Sequence, residues 1–111
     1  MNTPVYDFLI QYAERDPVRL HMPGHKGRFG APALQRATTL DLTEITGADS
    51  LFEAEGILAE SERNAASLYG TAYTFYSCGG STLCIQTMLL LMKQQGRAVL
   101  AARNVHRAFL N

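Results

Sequence analysis

The sequence has no surplus of charge. Ten basic and ten acidic residues cancel over 111 positions, which excludes the electrostatic footprint of a nucleic-acid or anionic-membrane binder. Cysteine is scarce too. Cys78 and Cys84 form a C-x₅-C pair without a second pair or adjacent histidine ligands, so no zinc signature or disulfide framework is written here. Reduced thiols in a cytoplasmic protein are the expectation. The N-terminus lacks a basic stretch followed by a long apolar one, so no leader is expected. The most apolar run, Leu83 to Met92, is bounded by Lys93 and Gln94 and is too short to span a bilayer. It predicts a buried helix.

What is present concentrates between Tyr76 and Cys84, in Tyr-Ser-Cys-Gly-Gly-Ser-Thr-Leu-Cys. This stretch joins a β-rich run, 72–76, to the apolar helical run that starts at Leu83. Gly79 and Gly80 permit close backbone approach, Ser81 and Thr82 offer hydroxyls, and the first free N–H groups of a helix point at whatever sits there. Such a turn is a ready phosphate seat. The same residues also suit a tight turn with an N-capping Ser or Thr.

Local signals predict the organisation of the rest. Thr3-Pro4 is a cap with proline at the first helical position, and Val5, Phe8, Leu9 and Tyr12 repeat at helical spacing up to Asp16-Pro17. Residues 17–50 are rich in Gly, Pro and Thr and predict extended or looped chain. Between Leu51 and Tyr69, Ala54, Leu58, Ser61, Ala65 and Leu68 give one helix face, with Gly70 as its stop. A strand at 72–77, a helix at 81–95, a stop at Gly96 and a strand at 97–102 follow. Strand, helix, strand predicts an α/β sheet with at least two parallel strands. The division expected is an N-terminal helix with an extended segment over 1–50, then the start of a larger domain over 51–111. A sheet of two strands is incomplete, so the chain reads as the N-terminal piece of a larger protein.

His21 and His25 with Asp41 and Glu44 suggest a metal cluster at first sight. Proline and glycine between the histidines make helical ligand spacing impossible, and no zinc spacing is met. No metal is expected. Asp49 and Glu44 are expected to be solvated or bonded to loop backbone.

Four blocks carry a resemblance, and they cover nearly the whole chain. His21-Met22-Pro23-Gly24-His25-Lys26-Gly27 resembles the H-x-P-G-H-K signature of the ornithine/lysine/arginine decarboxylases. Asp41-Leu42-Thr43-Glu44 with Gly47-Ala48-Asp49-Ser50-Leu51 resembles the D-x-T-E…G-x-D-x-L block that follows it. Gly80-Ser81-Thr82 stands at the family's phosphate loop, and Arg103-Asn104-Val105-His106 matches its R-N-x-H turn. The sequence departs from the pattern in having Gly79 for the usual Asn, Leu83 and Cys84 for small or polar residues, and Ala108 for the common Ser.

The resemblance implies an α/β fold, the N-terminal part of the pyridoxal-phosphate-dependent, aspartate-aminotransferase-like major domain, with an incomplete sheet and flanking helices. It implies pyridoxal 5′-phosphate as cofactor, bound by Gly80, Ser81 and Thr82 at its phosphate and by His106 stacked on its ring. His25 and Lys26 would lie near the substrate or the neighbouring subunit, although a purely structural loop fits that segment equally well. Lys26 precedes the cofactor seat and is a poor Schiff-base lysine; the family places that lysine and the acidic partner of the ring nitrogen downstream. The implied function is decarboxylation of arginine, lysine or ornithine toward polyamines. The implied setting is a cytoplasmic homodimer or higher homo-oligomer with no nucleic-acid or membrane partner. This chain alone is expected to be inactive. Another fold-related pyridoxal-phosphate enzyme, an aminotransferase or carbon–sulfur lyase, is the alternative, as is a non-catalytic truncated product.

Overall fold

The computed structural model describes residues 2–110. Its elements are four α-helices, α1 (Pro4–Glu14), α2 (Pro32–Leu40), α3 (Ile57–Tyr69) and α4 (Gly80–Gln94), and a 3₁₀ turn at Arg107–Phe109. They fall into two compact units, Met1–Phe75 and Tyr76–Asn111.

In the first unit, α1 packs on both α2 and α3. Pro4 presets the first helical φ of α1. The Asp7 carboxylate reaches back to accept from the Thr3 amide at 3.2 Å and the Thr3 hydroxyl at 3.0 Å, which secures the first turn. α1 ends where Asp16 adopts a left-handed φ of 41° before Pro17, because proline disfavours helical backbone in the residue preceding it. At the far end of α3, Gly70 takes φ 65°, and the Thr71 amide returns to the Ala66 carbonyl at 3.0 Å. That is the expected glycine stop. α4 closes in the same way, with Gly96 at φ 67° and the Arg97 amide on the Met92 carbonyl at 3.1 Å.

The helix expected to be buried over Leu83 to Met92 lies in α4, which has no buried residue, and the helix face expected from Leu51 starts at Ile57. Two larger expectations are also overturned. The expected α/β sheet is absent: neither 72–77 nor 97–102 is a strand, and no strand or bridge occurs among the described residues. A strand needs a neighbour to satisfy its backbone groups. Among the described residues the backbone bonds found here are turn bonds at the ends of 97–102, from the Arg97 amide to Met92 and from the Val105 amide to Ala102, with no ladder to another segment. Their large side chains are left outside, with Phe75 80% and Leu100 fully exposed. The second correction is α2, which lies inside the span expected to be loop. Its sequence, Pro-Ala-Leu-Gln-Arg-Ala-Thr-Thr-Leu, keeps Leu34, Ala37 and Leu40 at helical spacing but is short and poor in apolar residues, and polar contacts add to its packing on α1. The Thr38 and Thr39 hydroxyls donate back to the Gln35 carbonyl at 2.9 and 2.8 Å.

Burial is shallow in both units. Ala66 of α3 and Arg19 are buried in the first, and Ala108, beside α4, in the second.

Candidate functional site

The first unit holds the His21–Gly27 turn, and Arg19 is its foundation. Val18 and Leu20 are 87% and 90% exposed, yet Arg19 between them is only 9% exposed. Its guanidinium donates to the Thr39 carbonyl at 2.6 Å and the Thr38 carbonyl at 3.5 Å, at the C-terminal end of α2. It also lies 5.1 Å from the Tyr12 ring centroid. Helix-end carbonyls and a π face both favour a cation there. Gly27 presses on the same guanidinium from the other side. Its φ is 75°, and a Cβ there would fall 2.5 Å from Arg19 Cζ. Gln35 of α2 ties the turn down by donating to the Gly27 carbonyl at 2.8 Å while accepting from the Phe29 amide at 3.1 Å.

Both histidines of the turn are fully engaged. His21 Nδ1 lies 2.5 Å from the Met22 carbonyl, and its Nε2 lies 2.7 Å from the Tyr12 hydroxyl. A carbonyl only accepts, so Nδ1 carries the proton and Nε2 accepts from Tyr12. His25 has the opposite arrangement. Its Nδ1 accepts from the Gly27 amide at 3.0 Å, and its Nε2 donates to Asp41 Oδ2 at 3.1 Å. Lys26, left-handed at φ 54°, turns its ammonium onto the His21 carbonyl at 2.5 Å. With both ring nitrogens in use on each histidine, the turn in this state presents donors and charge and holds no free imidazole base. No group of three or more His, Cys, Asp or Glu is placed to hold a metal ion among the described residues.

Asp41, Glu44 and Asp49 border a cleft of about 470 Å³ whose apolar floor includes Phe8, Leu9 and Leu58. All three are engaged. Glu44 accepts from the Ser50 hydroxyl at 2.8 Å. Asp49 serves as a cap for α3 at a distance in sequence, because Gly56 in the N-cap position has no side chain to offer. Its carboxylate accepts from the amides of Ser50, Gly56 and Leu58 at 2.9 Å and of Glu55 at 3.1 Å. Desolvation pushes its pKa up, but these amide donors outweigh it and hold the carboxyl at about 2, below the ordinary 3.8. This is the backbone-bonded role expected of Asp49.

The second unit carries Gly80, Ser81 and Thr82, the first three residues of α4. Ser77 accepts from the Gly79 amide at 3.2 Å, and Gly80 turns into the helix at φ 71°. Ser81 and Thr82 are exposed. The helix start has no side-chain cap and no acidic residue in its first turn. Uncapped amides, two hydroxyls and no competing carboxylate fit the phosphate of pyridoxal phosphate. His106 caps the 3₁₀ turn, its Nδ1 accepting from the Ala108 amide at 3.2 Å. That turn packs against α4, but no hydrogen bond or ring contact joins His106 to Gly80, Ser81 or Thr82. Cys78 and Cys84 are exposed and free.

Sequence reasoning passed over Arg19. The alternation Val18-Arg19-Leu20-His21-Met22 is a period-two signal, and the structure turns its polar face inward. Burial by hydrophobicity points to the wrong face.

Comparison with known proteins places the chain. Residues 3–111 match the family described as Orn/Lys/Arg decarboxylase, major domain. The protein YaaO of Bacillus subtilis is 34% identical over 97% of this chain and 24% of its own length. The arginine decarboxylase of Halalkalibacterium halodurans is 32% identical over 98% of this chain and 23% of its own. The lysine decarboxylase LdcA of Pseudomonas aeruginosa is 25% identical over 97% of this chain and 16% of its own. The chain thus spans about a quarter of the length of its first-ranked curated relatives. No solved structure matches it.

Proposed function

The chain belongs to the Orn/Lys/Arg decarboxylase family, and on that premise we propose that the protein containing it is a pyridoxal-phosphate-dependent decarboxylase of arginine, lysine or ornithine. Relatives named arginine decarboxylase and lysine decarboxylase support a basic amino acid as substrate. On this reading the enzyme works in the cytoplasm as a homo-oligomer, feeds polyamine formation, and begins its cofactor-binding part within 51–111.

The observation that carries the cofactor reading is the uncapped, carboxylate-free start of α4. Gly80 lets the backbone approach a phosphate, the Ser81 and Thr82 hydroxyls donate to its oxygens, and the first-turn amides add the positive end of the helix dipole. His106 would hold the ring of the cofactor, a flat, polarisable imidazole being suited to an electron-poor aromatic face. Pyridoxal phosphate, when bound, supplies the sink for the electron pair left behind as the carboxylate departs. His25 and Lys26 would stand near the substrate, where the His25 Nε2–H fixes Asp41 and the Lys26 ammonium offers its remaining hydrogens to the substrate carboxylate. Neither of these assignments supplies the lysine that anchors the cofactor, so this chain alone should release no carbon dioxide.

The test is cofactor titration of the complete enzyme. Removing charge-assisted bonds of about 1.5–3 kcal/mol each means Ser81→Ala with Thr82→Ala weakens cofactor affinity by tens-fold or more. Unchanged affinity would make the turn an ordinary helix start. Assays of released carbon dioxide with arginine, lysine and ornithine then name the substrate.

A further inference from the structure

We infer that Arg19 is a positioning residue for His25, fixing through Gly27 which ring nitrogen of that histidine carries the proton. The functional consequence rests on the reading that the His21–Gly27 turn meets the substrate; the structural chain stands by itself. Arg19 is buried, and its guanidinium is fixed on two sides, by the Thr38 and Thr39 carbonyls and by the Tyr12 ring. Its third side is the wall against which Gly27 sits, so closely that no Cβ fits. Gly27 in turn aims its amide at His25 Nδ1 at 3.0 Å. An amide can only donate, so Nδ1 must accept and the proton resides on Nε2. Nε2–H then points at Asp41, 3.1 Å away. The residues run in an unbroken line from α1 through Arg19 and Gly27 to the His25–Asp41 pair.

A guanidinium suits this place better than an ammonium. Its planar fork spans two successive carbonyls while its face lies on an aromatic ring, which a lysine cannot do at once. Removing the fork frees Gly27 to shift and the amide leaves Nδ1, so that only the half-exposed Asp41 carboxylate still selects the Nε2–H form and the Nδ1–H form gains population. A histidine with a mixed tautomer holds Asp41 only part of the time, so the His25–Asp41 edge of the turn loses its fixed place, which weakens substrate capture without touching the cofactor seat in the other unit.

The experiment uses the complete enzyme with ¹⁵N-labelled histidine, following the imidazole nitrogens by solid-state NMR, with the His25 signals identified by their loss in His25→Gln. Wild type should show His25 as the Nε2–H tautomer. Arg19→Lys, at a melting temperature close to wild type, should show a mixture, and so should Gly27→Ala, which pushes on the same contact from the opposite side. In kinetics, Arg19→Lys should raise KM for the amino acid about tenfold, roughly the effect of one misplaced charge-assisted hydrogen bond. The kcat should stay within about threefold, and cofactor affinity should not change.

An unaltered Nε2–H tautomer in both folded variants overturns the inference. So does a lysine variant with wild-type KM, or a loss of kcat and cofactor affinity in step with KM. If Arg19→Lys fails to fold, Gly27→Ala decides by the same signals. A tautomer that responds in a wild-type protein inactive toward all three amino acids upholds the positioning role and sinks the proposed function instead.

Discussion

The two units handle polar backbone in opposite ways. In Met1–Phe75, side chains far apart in sequence close off the loops: Arg19 caps α2, Asp49 caps α3, Gln35 holds the turn at Gly27, and Asn64 reaches Asn2 at 2.8 Å. In Tyr76–Asn111 several side-chain bonds are local, from Gly79 to Ser77, Thr87 to Leu83 and Ala108 to His106. Large apolar side chains there face outward, and Ile85, Met88, Met92, Val99 and Phe109 border an apolar groove of about 470 Å³. The first unit therefore contains the information for its own loops. The second leaves an apolar surface without cover among the described residues.

The comparison is broken most sharply by Phe8→Ala. Phe8 stacks on Tyr12 with centroids 6.1 Å apart and packs on Gly47. Truncating a half-buried phenyl ring should cost about 2–3 kcal/mol, below the full range for a buried one. In hydrogen exchange, α1 and α3 amides should lose protection while α4 amides do not. Equal loss in all helices would show one cooperative whole and end the distinction between the units.

A second effect is set by pH. The Asp49 carboxyl is held down to about 2 in the folded chain and returns to an ordinary value on unfolding. A depressed pKa contributes stability that is complete above the unfolded value and is lost as pH falls through the folded one. The first unit should therefore weaken between about pH 4 and pH 2, with α3 amides opening earliest. Asp49→Asn should flatten that window, because the amide keeps an acceptor and loses the titration. An unchanged acid profile in Asp49→Asn would assign the loss to other carboxyls.

What was legible in the sequence follows from the same contrast. Helix starts and stops depend on residues next to one another, so Thr3-Pro4, Gly70 and Gly96 were readable. The start of α4 at Gly80 was readable for the same reason. The sheet was misread, because the aromatic and β-branched runs at 72–77 and 97–102 describe a surface that fits a pleat but do not themselves supply the pairing, and no strand forms there. α2 was hidden because its apolar period is short and lies among Gly, Pro and Thr, and because its cap is remote: Arg19 lies nineteen and twenty residues before the carbonyls it caps. Asp49 could be assigned to backbone bonding in general, but Gly56 as the helix start it serves emerges only in three dimensions.

A smaller effect sharpens the picture at the N-terminus. Asp7→Ala removes the carboxylate that accepts from the Thr3 amide and hydroxyl. Loss of an exposed cap should cost about 0.5–1 kcal/mol and appear as faster exchange confined to the first turn of α1. Loss of protection reaching α3 would mean this cap also supports the helix packing.

The smallest expected effect is the most informative about the second unit. Leu100 is fully exposed, so Leu100→Lys removes no internal contact and should change stability by no more than about 0.5 kcal/mol. Its consequence should appear in association. An apolar groove beside outward-facing leucines drives chains together, and the isolated 111-residue chain is expected to self-associate in sedimentation. A lysine beside the groove opposes that through desolvation and mutual repulsion, so the variant should sediment as smaller species at equal concentration with the same helix content. If wild type is already a monodisperse monomer, the exposed face is tolerated by the unit itself, and the association expected from that uncovered surface falls with it.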